Sequence, residues 1–230
     1  MTAYNCTRAV VLPLCRLLYR VRVEGIEHVP PSGVYILAPS HRSALDPAFA
    51  AFATRRRIRF IAKREIFTSD IGRHLFVALG AIEVDRGATD RGALRASQAA
   101  LEAGEPLGIF PEGTRRSGPA VEELFDGCAF LAGRLNVPMV PVGIGGSGEI
   151  KPKGRRLPRF PRVVVVIGAP IEVPAATGVR RRSEVVALTE ELRTRLQECL
   201  DGATVLASDA AERGSSPLGS RVAAERGEDR

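Results

Sequence analysis

Short apolar runs separated by helix-patterned stretches constrain this chain more than any other feature. From residue 33 onward, VYILA (34–38), RFIAK (59–63), AIEVD (81–85), LGIFP (107–111), PMVPVGI (138–144) and RVVVVIG (162–168) read as strands. VVVVI is apolar at every position, as in a strand covered on both faces. Helical patterning fills 43–53, 68–79, 88–103 and 122–135. The alternation predicts an α/β fold: a sheet with helices on its faces. A last helix is expected over 183–200, capped by Ser183, with Leu188, Leu192, Leu196 and Leu200 forming one stripe. Beyond Asp201 the chain turns to Gly, Ser, Ala and charge, so 203–230 is expected to be a disordered tail. One domain over 21–202 follows, preceded by an N-terminal segment, 1–20.

That segment contains AVVLPLCRLLY (9–19). It is too short to span a bilayer, and Pro13 and Arg16 interrupt it. Two compatible readings stand: a basic amphipathic helix in a membrane interface, or a helix packed on the domain. The net charge of +7 points to an anionic partner. Two basic runs, TRRRIRF (54–60) and KPKGRRLPRFPR (151–162), are either solvated loops or contacts to the phosphates of an anionic bilayer. They lack interleaved stacking aromatics, which argues against nucleic acid. The four cysteines, Cys6, Cys15, Cys128 and Cys199, show no zinc spacing, so reduced thiols and no metal are expected.

Chemistry concentrates in APSHRSALDP (38–47). On one regular helix His41 and Asp46 would sit about 140° apart and could not meet. They can meet if His41 lies in a loop and the helix starts between them, with Pro47 in its first turn. The carboxylate would then hold one imidazole nitrogen as N–H, leaving the other as a general base. In FPEGTRRSG (110–118), Gly113 allows close backbone approach, Thr114 adds a hydroxyl and Arg115 a planar fork suited to phosphate. Arg116 could add charge, and Glu112 could orient an arginine or hold the loop. Arg86 follows AIEVD and Lys63 ends RFIAK. If the strands are largely parallel, His41, Lys63, Arg86 and Arg115 emerge at one sheet edge, where open α/β sheets bind ligands.

GIGGSG (143–148) matches G-x-G-x-x-G, but no helical pattern follows to supply a pyrophosphate site, and it reads as a glycine-rich loop. Ser147 fails the G-x-S-x-G elbow because Glu149 takes the last glycine position.

Taken in order, His41 with Asp46, Gly80 to Arg86, Phe110 to Arg115 and VPMVPV (137–142) resemble the four blocks of the glycerolipid acyltransferases, specifically the bacterial 1-acylglycerol-3-phosphate acyltransferases. The resemblance implies the glycerol-3-phosphate acyltransferase-like fold, an α/β fold with a mixed, largely parallel sheet flanked by helices. It implies that His41 takes the proton from the 2-hydroxyl of lysophosphatidate and that Asp46 orients His41. The hydroxyl would attack an acyl thioester directly. Arg86, Glu112, Gly113, Thr114 and Arg115, with help from Lys63, would bind the phosphate-bearing acceptor. Backbone N–H groups near the start of the first helix would stabilise the oxyanion. No metal or resident cofactor is implied; acyl-CoA or acyl-carrier protein is the co-substrate. Work at the cytoplasmic face of the cell membrane, as a peripheral protein on an anionic surface, is expected. Two competing readings are a relative acting on glycerol-3-phosphate or another lysophospholipid, and a non-enzymatic basic module binding membrane or nucleic acid. The second leaves His41–Asp46 and FPEGTR unexplained.

Overall fold

The computed structural model of the protein describes residues 3–63, 80–84, 89–152, 157–174 and 180–215. Seven strands form one sheet: β1 (Arg22–Glu24), β2 (Ile36–Pro39), β3 (Arg59–Lys63), β4 (Ala81–Val84), β5 (Leu107–Gly108), β6 (Met139–Gly145) and β7 (Val164–Ile167). Their spatial order is β1-β7-β6-β2-β5-β3-β4. Strands β6, β2, β5, β3 and β4 run parallel. Strand β7 pairs antiparallel with β6, and β1 runs parallel to β7. The sheet is therefore mixed and largely parallel, as the family resemblance implies. The short β1 was not foreseen, because RVE carries no run of its own.

The helices are α1 (Ala3–Tyr19), α2 (Asp46–Ala50), α3 (Thr89–Glu102), α4 (Gly127–Leu135) and α5 (Arg182–Ser215). The expected helix over 68–79 lies outside the described residues. Side chains alternating along each strand feed two cores. Tyr35, Leu37, Val140, Val142, Val165 and Ile167 pack with Tyr19, Phe49 and Ile58 on the face of α1 and α2. Ile36, Ala38 and Met139 pack with Leu101, Leu131, Leu192 and Leu196 on the face of α3, α4 and α5. Period-two alternation on a doubly covered strand builds both layers at once. Burial pushes the Cys128 thiol up to about 12 and Cys199 up to about 11.

One expectation needs correction. Helix α5 does not end near residue 200 but continues to Ser215, so 203–215 is helical and not a disordered tail. The leucine stripe carries on as buried Ala203 and Ala207. Small residues suffice there because the strand beneath is glycine. A Cβ on Gly143 would lie 2.1 Å from the Cys199 carbonyl oxygen, and one on Gly145 would lie 2.3 Å from that of Ala203. The glycines of GIGGSG thus seat a helix backbone on β6, and the strand extends through Gly145 before the chain turns at Gly146.

Candidate active site

The site is built from the loops that follow β2 and β5, neighbours in the sheet. Strand β2 is pinned at its end: Ser40 N–H donates to the Val142 carbonyl at 2.9 Å, and Ser40 Oγ accepts Ile144 N–H at 3.0 Å. His41 comes next, in the loop, and α2 begins at Asp46 with Pro47 in its first turn. This is the arrangement the five-residue spacing requires. His41 Nδ1 lies 3.1 Å from Asp46 Oδ2. The same oxygen accepts the N–H groups of Arg42 and Ser43, each at 2.6 Å. A carboxylate oxygen accepts, so a hydrogen bond between the two makes Nδ1 the donor. Asp46 is fully buried, and its Oδ1 has no hydrogen-bond partner among the described residues.

An aromatic stack holds the imidazole from its flat side. The Phe110 ring lies 4.1 Å from that of His41 at an interplanar angle of 28°, and Phe60 stacks beyond Phe110 at 5.9 Å. Gly108 leaves room for Phe60, since a Cβ there would meet the Phe60 ring at 2.2 Å.

The FPEGTRR loop turns at Gly113, whose φ of 65° favours glycine. Gly113, Thr114 and Arg115 are exposed and close to His41 along the loop: Arg116 N–H donates to the His41 carbonyl at 2.9 Å. Arg115, one residue before that bond, is exposed. The Arg116 guanidinium pairs with Glu122 at 2.9 Å. Lys63 ends β3, parallel to β5, so its backbone lies at the same sheet edge. Arg86 lies outside the described residues, two positions past the end of β4, which is parallel to β3.

Two of the groups named above are committed within the protein, the first being Glu112. It is fully buried, with Oε1 accepting His41 N–H at 2.9 Å and both oxygens held by Arg42 Nη1 at 2.7 Å. The residue-level reading, that Glu112 orients an arginine and holds the loop, describes it. The amides around the start of α2 are also committed: Arg42 and Ser43 to Asp46, Leu45 to Ser43 Oγ and Asp46 to the Ser43 carbonyl. Those four do not serve an oxyanion. Sequence reasoning missed Arg42 altogether. Its partners are some 70 residues away, and its one signal was a basic residue directly after the histidine.

The basic run 54–60 turns inward. Arg59 pairs with Glu105 at 2.7 Å, and Arg56 bonds the carbonyls of Gly33 and Gly104. These contacts tie loops together, a role that neither reading of the run foresaw. In the second run, Lys151, Leu157, Arg159 and Phe160 are exposed, and 153–156 lie outside the described residues.

The family model described as Acyltransferase matches residues 20–145, more than half of the chain and all of these loops. This chain belongs to the acyltransferase family. Among its relatives, the 1-acyl-sn-glycerol-3-phosphate acyltransferase of Bacillus subtilis is 25% identical over 179 residues, covering 77% of this chain and 87% of that one. The chloroplastic enzyme LPAT1 of Arabidopsis thaliana is 26% identical over 189 residues, or 80% of this chain, which spans only 50% of the plant protein's length. The crystal structure of the 1-acyl-sn-glycerophosphate acyltransferase PlsC from Thermotoga maritima matches with a TM-score of 0.65 and 26% identity, over 84% of this acyltransferase and 81% of that chain.

Proposed function

We propose that this acyltransferase moves a fatty acyl group from an acyl thioester, acyl-CoA or acyl-carrier protein, to the 2-hydroxyl of 1-acylglycerol-3-phosphate, giving phosphatidate. The observation that carries the reading is the His41–Asp46 pair, 3.1 Å apart, beside the exposed Gly113–Thr114–Arg115 turn. His41 Nε2 takes the hydroxyl proton as the oxygen attacks the thioester carbonyl. Asp46 stabilises the imidazolium that forms. Collapse of the tetrahedral intermediate breaks the C–S bond, and the leaving thiolate takes the proton from His41. Arg115 grips the acceptor phosphate through its planar fork, with Thr114 and the Gly113 backbone beside it. Lys63 and Arg86, from the ends of neighbouring parallel strands, add charge to the same phosphate. The bacterial relatives named for this activity support the choice of acceptor.

The acceptor is a lipid, and the surface suits a peripheral position on an anionic membrane; the cytoplasmic face is the one that a soluble thioester donor reaches. Val10, Leu14 and Leu17 of α1, at i, i+4 and i+7, are 68%, 51% and 76% exposed. Leu157 and Phe160 extend that surface, with Phe160 packed 5.6 Å from Tyr19 at the end of α1. Arg16, Arg20, Lys151 and Arg159 are exposed around it, a composition that favours an anionic interface. No described helix is long and apolar enough to cross a membrane.

Thiol release from acyl-CoA or acyl-carrier protein, with and without lysophosphatidate, tests the reading, with phosphatidate identified as product. Release that needs the acceptor and falls by about 10²-fold or more in His41→Ala is expected. Release without acceptor, unchanged in His41→Ala, sinks it and points to hydrolysis by another nucleophile. Transfer to glycerol-3-phosphate instead reassigns the acceptor and keeps the base.

A further inference from the structure

His41 is gripped at its backbone as well as at its ring. Its N–H donates to Glu112 Oε1 at 2.9 Å. Its carbonyl accepts Arg116 N–H at 2.9 Å and Arg42 Nη1 at 3.1 Å. Arg42 closes the arrangement. Its Nη1 meets both Glu112 oxygens at 2.7 Å, its Nε donates to the Gly118 carbonyl at 3.1 Å, and its Nη2 to the Ala120 carbonyl at 3.0 Å. The Arg42 side chain is 6% exposed and that of Glu112 is 0% exposed. A carboxylate so enclosed does not reach a substrate.

Backbone pairing explains why such a device is needed. The two loops leave β2 and β5, which share only two register pairs, Ile36 with Leu107 and Leu37 with Gly108. The last ladder bond runs from Ile109 N–H to the Leu37 carbonyl. Beyond it no regular backbone ladder sets the distance between His41 and the Gly113–Arg115 turn. Side chains take over where the ladder stops. Five N–H donors in a rigid fork let one arginine bind the carboxylate and three carbonyls together, which an ammonium cannot do.

We infer that Arg42 and Glu112 are positioning residues: a buried ion pair that fixes the distance between the base His41 and the phosphate-binding turn, with neither residue touching the acceptor. This inference rests on the function proposed above and gives Glu112 a different role from that of an acceptor ligand.

Steady-state kinetics on Arg42→Lys, Glu112→Gln and the double variant test it, with lysophosphatidate as acceptor. Misplacing a base by about an ångström costs on the order of 10²-fold, so each single variant is expected to lose about that much kcat. The acceptor KM should stay within about threefold, because no contact to the acceptor is removed. The double variant should be no slower than the worse single one, since the two residues act as one unit. A raised acceptor KM with kcat kept in Glu112→Gln would make Glu112 a ligand and overturn the inference. Losses that multiply in the double variant would overturn it too. Amide hydrogen exchange gives a readout that needs no turnover. At His41 and Arg116 it should quicken at least about tenfold in Arg42→Lys, with Val140 in the sheet still protected. Unchanged exchange at His41 rejects the clamp even if lysophosphatidate proves not to be the acceptor. If Arg42→Lys does not fold, Glu112→Gln keeps one oxygen for the His41 amide and is judged by the same two measurements.

Discussion

Gly113 illustrates how much one side chain can decide at this site. Its φ is 65°, and a Cβ there would lie 2.5 Å from the Phe125 ring. Gly113→Ala therefore meets two costs: a left-handed backbone, about 1 kcal/mol for an L-residue, and displacement of Phe125. Phe125 is 64% exposed and can yield, so the variant should fold. The expected outcome is a loss of about 1 kcal/mol in thermal or denaturant unfolding and a raised acceptor KM, because the turn carrying Arg115 is displaced. Wild-type stability with an unchanged KM would count against the left-handed turn as the shaper of the phosphate site. At this scale legibility follows sequence distance. His41 and Asp46 are five residues apart, and local geometry alone shows how they meet. Arg42 and Glu112 are 70 apart, and nothing in either stretch announces the other.

At the scale of elements, the contact of α5 with β6 organises one side of the sheet. Helix α5 is 34 residues long, and its backbone touches β6 at Gly143 and Gly145. A valine at 145 would drive its side chain into the backbone at Ala203, which no rotamer relieves. Gly145→Val is expected to destabilise the protein by more than about 3 kcal/mol, the range of severe overpacking, visible as a large drop in the urea midpoint. A drop under about 1 kcal/mol would mean that the helix lifts from the strand at little cost. The apolar runs announced six strands because a doubly covered strand needs unbroken hydrophobicity. The helical stretch 203–215 escaped notice because alanine packing on glycine leaves no hydrophobic signal. Its stability comes from close approach to the strand, which composition does not record.

Over the whole molecule, charge and apolar exposure divide between inward and outward duties. Three of the four arginines of 54–60 bind carbonyls or Glu105, so that run offers fewer cations to a partner than its sequence suggests. The outward apolar stripe of α1 and the Leu157–Phe160 segment carry the proposed membrane contact. In vesicle flotation at low salt, the wild type is expected to float with anionic vesicles and less with neutral ones. Leu14→Asp/Leu17→Asp should sink, since each aspartate removes apolar contact and adds a charge of the lipid's own sign. Wild type that stays in the soluble fraction with anionic vesicles would remove the membrane from the proposal.

Sequence alone determined the α/β layering, the family blocks and the His41–Asp46 pairing. Each rests on periodicity or on neighbours a few residues apart, where chain geometry leaves few choices. Tertiary structure alone decided that Glu112 is a buried partner of Arg42, that Arg116 turns to Glu122 and that the glycines of GIGGSG seat α5. The physical reason is common to all three. A charged or glycine residue can be satisfied by many partners, and which one it meets depends on which strands the fold sets side by side.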